Sequence, residues 1–150
     1  MTVEPLLNNE APDFSLRDHE GNTVSLKSFR GKNAVLLIFY PGDNTPGCTA
    51  QLCAIRDDWA EFQTHGVMVF GVNHADAESH TEFWWHHRLK TPLLVDPDKQ
   101  VAKLYGATKK LFKSEIIKRS VVLIDKQGIV RYLKRGQPPT SEILNVLKTL

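Results

Sequence analysis

AVLLIFY, residues 34–40, runs straight into PGDNTPGCTAQLC, residues 41–53, which holds both cysteines of the 150-residue chain. The first stretch is a continuous apolar run, the pattern of a strand buried on both faces. Pro41-Gly42 ends it. The second stretch opens a helical pattern: Cys48, Leu52, Ile55, Trp59 and Phe62 fall at i, i+4, i+7, i+11 and i+14, one apolar stripe. Gly66 is a helix stop, and VMVFGV (67–72) is a second buried strand. The junction therefore reads as strand, helix, strand, with the cysteines where the helix begins.

Working outward, FSLRDHEGNTVSL (14–26) has two alternating segments around an E-G-N turn, a hairpin. Downstream, 76–89 reads as a helix, LLV (93–95) as a short extended piece, and 98–105 as a short helix ending at Gly106. SVVLI (120–124) and IVRYL (129–133), joined by D-K-Q-G, form another hairpin, and 141–150 is a last helix with Ser141 as its N-cap. No linker, repeat or low-complexity stretch divides the order, so one domain over residues 1–150 is expected. A βαβ unit followed by a ββα unit predicts an α/β, thioredoxin-like fold: a mixed sheet, helices on both faces, an N-terminal β-hairpin. Ligands in such sheets gather beyond the carboxyl ends of parallel strands, where the cysteine loop lies.

The totals exclude several classes. Net charge is +2 with neutral histidines, too weak for a strong anion-binding surface. The segment KKLFKSEIIKR (109–119) is basic but has no interleaved aromatic platform, so it reads as a solvated loop, and nucleic acid is not an expected partner. MTVEPLLNNEAPDF has no basic segment before an apolar run, and no stretch is long enough to span a bilayer; a soluble protein of the reducing cytoplasm, without membrane contact, is expected. In that compartment paired cysteines are redox-active or metal-binding more often than permanent staples. The spacing C-x4-C and the absence of an H-x3-H pair argue against a metal site. Neither G-x-G-x-x-G nor G-x4-G-K-[ST] occurs, so no bound cofactor is expected.

Thr45-Pro46 is a helix-start signature, with a hydroxyl able to cap and a proline suited to the first helical position. That puts Cys48 in the first turn, where unpaired N–H groups and the macrodipole favour a thiolate. Gly47 lets another atom approach the backbone closely. The plain alternative is that Cys48 starts the apolar stripe as a small hydrophobe. In an unbroken helix residues five apart have Cα atoms roughly 8.6 Å apart and point about 140° apart. A disulfide needs Cα atoms within about 7 Å. If Cys48 and Cys53 react together, the first turns of the helix must unwind.

Pro41-x3-Thr45-x2-Cys48 resembles the P-x3-[TS]-x2-C signature of the peroxiredoxins, and Cys53 five residues on resembles the bacterioferritin-comigratory-protein, or peroxiredoxin Q, branch. APDFSL (11–16), SHTEF (79–83), LLVDPDKQVAKLYG (93–106) and RSVVLIDKQGIV (119–130) are similar to further family stretches, in order. The resemblance implies a thiol peroxidase acting on hydrogen peroxide and organic hydroperoxides, of the atypical two-cysteine kind. Cys48 would be the nucleophile and Cys53 the resolving cysteine that closes an intrachain disulfide, reduced by thioredoxin or a similar dithiol. Thr45 would hydrogen-bond sulfur and peroxide, Arg119 would hold the developing negative charge, and Pro41, with Gly47, would line the substrate site and shield it from water. Gln51 departs from a usual Glu, removing a negative charge near Arg119. Asn73 follows Val72 where Ser or Thr is usual, and the next residue, His74, has no role in the resemblance; Trp84-Trp85-His86-His87 is unusual. A monomer is expected, with a dimer left open by the tryptophan pair. Two other classes remain at this point: a redox-switched sensor or chaperone-like binder using the same pair without turnover, and a thiol–disulfide exchanger, against which the missing C-x-x-C argues.

Overall fold

The computed structural model describes residues 5–150, apart from the side chain of Cys48. A seven-stranded mixed sheet runs in the order β2-β1-β5-β4-β3-β8-β9, built from β1 (Ser15–Asp18), β2 (Thr23–Ser25), β3 (Val35–Phe39), β4 (Met68–Asn73), β5 (Leu93–Val95), β8 (Ser120–Ile124) and β9 (Val130–Arg135). The strands β3, β4 and β5 are parallel; β8 joins β3 antiparallel with Phe39 opposite Ser120. The helices are α1 (Pro46–Asp57), α2 (Trp59–Thr64), α3 (Ala77–His86), α4 (Gln100–Leu104) and α5 (Thr140–Leu147).

The alternation of side chains along β3 explains why it is buried throughout. Leu36, Ile38 and the following Tyr40 face a core completed by Leu52, Ile55, Phe62, Phe83, Ile143 and Leu147 of the helices. Val35, Leu37 and Phe39 face the other way, against Phe14, Phe70, Val101 and Tyr105. The thioredoxin-like arrangement and the N-terminal hairpin β1–β2 agree with the sequence reading. Among the described residues no helix is long and apolar enough to cross a membrane.

Four details differ from expectation. The stripe from Leu52 to Phe62 is buried as read, with Trp59 packed against it, but the helix breaks at Asp58 (φ −100°, ψ 15°) into α1 and α2. The segment read as a solvated loop contains an antiparallel hairpin, β6 (Thr108–Leu111) with β7 (Ser114–Ile117). Its turn is Phe112-Lys113 with Phe112 at φ 57°, so the Asn-Gly or Asp-Gly signal of a tight hairpin is missing. Ile117, as well as Arg119, turns inward from it. Finally, α5 starts at Thr140 rather than Ser141: Pro139, fixed at φ −64°, is the cap residue, and Ser141 lies inside the first turn.

Candidate active site

Strand β3 delivers the chain to the sheet's carboxyl edge, where Pro41 follows the fully buried Tyr40. The loop 41–45 turns through Asn44 at φ 61° and reaches Thr45, the N-cap of α1, in extended conformation. Pro46 takes the first helical position, as its fixed φ and missing N–H suit. The Thr45 carbonyl accepts the helix's first bond from Thr49 N at 2.9 Å. The Thr45 hydroxyl does not cap, contrary to expectation. It donates to Gly42 O at 3.1 Å, closing the turn that precedes the helix. With its one proton engaged there, Oγ1 keeps lone pairs free to accept.

Cys48 is the third residue of α1, in the first turn as expected; the reading of its side chain as a helix-stabilised thiolate lies outside the described residues. Around this turn the structure gathers Arg119, which enters from the start of β8. Its guanidinium is pressed on Gly47 so closely that a Cβ there would lie 2.7 Å from Nη2 and 3.3 Å from Cζ. Gly47 is therefore the space that Arg119 occupies. The Arg119 backbone is held by Gly136 N donating to its carbonyl at 2.8 Å. The Nη1 atom of Arg119 is buried and has no hydrogen-bond partner among the described residues. The same holds for Oε1 of the buried Gln51, one turn past Cys48. Buried polar atoms are rarely left unpaired, so an orphaned guanidinium nitrogen marks a place for an incoming acceptor.

Cys53 sits on another face of α1, half-buried against the apolar cluster beneath the helix. The structure thus brings Thr45, Gly47 and Arg119 to one turn, with Pro41 at the loop's entry, and leaves Cys53 apart while α1 is intact. Trp84 packs on the core and donates from Nε1 to Thr91 O at 3.1 Å, whereas its neighbour Trp85 is 69% exposed, the split expected of adjacent helical residues. His74 lies exposed just beyond β4.

Two residues of this region escaped the sequence reading as site residues. Asp43, in the loop, and His80, in α3, form a buried pair with Nδ1 2.8 Å from Oδ2. The only available signals were an acidic residue in a loop leaving a buried strand and a histidine in the SHTEF stretch. Neither states that the two meet. Among the described residues, no group of three or more His, Cys, Asp or Glu side chains is placed to hold a metal ion.

The AhpC/TSA family profile matches residues 7–133. The chain belongs to the AhpC/TSA family. That span includes Pro41, Thr45, Cys48, Cys53 and Arg119. Among relatives, it is 41% identical over 141 residues to the chloroplastic peroxiredoxin Q of Oryza sativa subsp. japonica, covering 93% of this chain and 64% of that one. It is 39% identical to the chloroplastic peroxiredoxin Q of Sedum lineare, over 93% of this chain and 74% of that one. The chain spans about 64% of the length of the rice and wheat relatives it matches. Among solved structures, it is similar to the peroxidoxin BcpB of Mycobacterium tuberculosis, with TM-score 0.88, 26% identity and coverage of 96% and 97%. It is also similar to the Xanthomonas campestris peroxiredoxin Q, with TM-score 0.83, 25% identity and coverage of 91% and 90%. The resemblance to the peroxiredoxin Q branch, read from the cysteine motif, is borne out by these AhpC/TSA relatives.

Proposed function

We propose that the chain is a thiol-dependent peroxidase in which Cys48 reduces hydrogen peroxide or an organic hydroperoxide. The observation that carries this reading is the Arg119 guanidinium pressed on Gly47 in the first turn of α1, with a buried Nη1 that has no hydrogen-bond partner among the described residues. A hydroperoxide R–O–O–H needs an acceptor for its proton and donors for its oxygens. Thr45 supplies the first and Arg119 the second. Position 48, in the first turn of a helix with its backbone donors unpaired, favours the thiolate.

The thiolate attacks the terminal peroxide oxygen, forming S–O as O–O breaks. The electron pair leaves on the RO oxygen, which takes up a proton and departs as alcohol or water. Sulfur loses two electrons and becomes a sulfenic acid. Charge develops on the leaving oxygen, where a fixed, permanently charged donor counts most. Pro41 at the loop's entry keeps water from competing. Cys53 then condenses with the sulfenic acid, releasing water and forming an intrachain disulfide. Two electrons from a thioredoxin-type dithiol restore both thiols. Because α1 is continuous from Pro46 to Asp57, that condensation requires its first turns to unwind. The cytoplasm, kept reducing, is the compartment this cycle suits.

The test is steady-state peroxide consumption with a thioredoxin system, together with a peptide map after one equivalent of peroxide. Cys48→Ser should abolish turnover. Cys53→Ser should oxidise once and then stall. A Cys48→Ser protein that still consumes peroxide would remove the assignment; a wild type that oxidises once without turnover would leave a redox switch instead.

A further inference from the structure

Beneath the cysteine loop lies a polar cluster that the reaction above does not use. The Asp43 side chain is 3% exposed and that of His80 is fully buried. Four donors converge on the Asp43 carboxylate: Tyr40 OH at 2.7 Å and Asn73 Nδ2 at 3.2 Å on Oδ1, Ser79 Oγ and His80 Nδ1 each at 2.8 Å on Oδ2. The other ring nitrogen, His80 Nε2, lies 2.9 Å from Leu94 O. A carbonyl oxygen only accepts, so Nε2 carries a hydrogen, and the second proton lies between Nδ1 and the carboxylate. Burial alone would push the Asp43 carboxyl up, but the hydrogen bonds and charge of His80, helped by Tyr40 and Ser79, hold it below its ordinary range.

A buried ion pair is a poor source of stability, because desolvation offsets its attraction. Its better-attested use is to fix one arrangement among several. Here the arrangement is that of the loop. Among the described residues, the loop's side-chain bonds to other parts of the fold all end on Asp43, which ties it to Tyr40 just past β3, to β4 and to α3. Asp43 adjoins Gly42, whose carbonyl receives the Thr45 hydroxyl. The position of Thr45 Oγ1 therefore depends on where Asp43 is held.

We propose that Asp43 and His80 are positioning residues for peroxide reduction: their buried pair fixes the 41–45 loop so that Thr45 Oγ1 and Pro41 meet the peroxide bound at Arg119. This rests on the peroxidase reading. The two ring nitrogens can be tested apart. His80→Asn keeps a donor near Nδ1 for Asp43 and gives up Leu94 O. His80→Gln reaches towards Leu94 O and gives up Asp43.

The experiment compares two rates at one thiol, Cys48, in the full chain: oxidation by hydrogen peroxide, followed by stopped-flow tryptophan fluorescence, and alkylation by iodoacetamide. Alkylation reads the thiolate and needs no oriented peroxide. Misplacing a positioning group costs up to about 10²-fold, so His80→Gln and Asp43→Asn should lower the peroxide rate at least about tenfold. In the same proteins alkylation should change by less than about twofold, and His80→Asn should recover to within about threefold of wild type. A role limited to stability would lower the melting temperature and leave the ratio of the two rates unmoved; that result overturns the proposal, as does equal loss in His80→Asn and His80→Gln. Ser79→Ala, which removes one neutral bond and leaves the pair intact, gives the same readout should His80→Gln not fold. Its ratio should fall about two- to fivefold, and an unchanged ratio again overturns the proposal. Failure of the peroxidase reading looks different: the wild-type thiol itself would be slow with peroxide.

Discussion

Replacing Gly47 by alanine sets two effects against each other. Within a helix alanine is favoured over glycine by about 0.5–1 kcal/mol, so on local grounds the substitution stabilises. The added methyl, however, would lie 2.7 Å from Arg119 Nη2, 3.3 Å from Cζ and 3.6 Å from Gln137 Oε1. The first contact must open to about 3.4 Å, a displacement of roughly 0.7 Å. The clashing atoms are the far end of a flexible side chain, so the guanidinium yields and the fold does not. A shift approaching 1 Å at a positioned group costs up to about 10²-fold, and losing such a donor outright costs about 10²–10³-fold. Gly47→Ala should therefore keep or slightly raise the melting temperature while slowing oxidation of Cys48 about 10- to 100-fold. Thermal unfolding and stopped-flow oxidation, run on the same preparation, measure both. Arg119→Lys, which keeps the charge but loses the fork, should be slowed to a similar or greater degree. A Gly47→Ala protein oxidised at the wild-type rate would mean that the Arg119 guanidinium does not stand where the peroxide reacts.

Gly71 in β4 allows a similar close approach in the core: a Cβ would meet Leu93 Cδ2 at 2.8 Å and Tyr40 Cε1 at 3.2 Å. Gly71→Ala should cost about 1–3 kcal/mol of stability in urea unfolding. Asp43 carries an acid-linked prediction. Its folded pKa is lowered, so its contribution is fully present above the ordinary value of 3.8 and is lost as pH falls through its own, lower value. The stability gap between wild type and Asp43→Asn should be widest near neutral pH and close under strongly acidic conditions; a gap constant with pH would contradict a buried ionised carboxylate. Hydrogen exchange over residues 46–54 should accelerate on oxidation, because a 48–53 disulfide cannot form on an intact helix; equal protection in both redox states would refute the unwinding step.

The fold was legible wherever burial imposed a period. β3 and β4 are apolar runs because both faces are covered, and the stripe Leu52–Ile55–Phe62 survives the break at Asp58 because packing acts on the face and not on helix continuity. The hairpin β6–β7 was not legible. Most of its side chains are exposed, its turn residue Phe112 is 97% exposed, and a phenylalanine at positive φ carries no turn signal. In the site, Thr45, Gly47 and Cys48 could be placed because one helix start orders them, while Pro41 was legible locally only as the end of β3. Arg119 came only through the resemblance, since nothing local places a residue 71 positions beyond Cys48 against Gly47. The Asp43–His80 pair depends on the parallel crossover that sets α3 beside the end of β3, and sequence spacing does not reveal it.

The two sides of the cysteine turn are held by different forces, and the proposed cycle depends on that difference. Upstream, the loop is tied by a buried, charge-assisted cluster on Asp43. Downstream, α1 is held by Leu52 and Ile55, which are fully buried. Exposing one such leucine costs about 1.5–3 kcal/mol, so unwinding that stops short of Leu52 is far cheaper than unwinding through it. Between these anchors lie Gly47, which costs helix propensity, and Gln51, whose buried Oε1 has no partner among the described residues. Each weakens the first turns and none weakens the anchors. Cys53 sits immediately past Leu52 and is only half-buried, packed at the margin of the apolar cluster and not within it. A helix weak at its start and firm beyond residue 52 can open for the second cysteine, while the Asp43 cluster keeps the loop that carries Thr45 in place for the next peroxide.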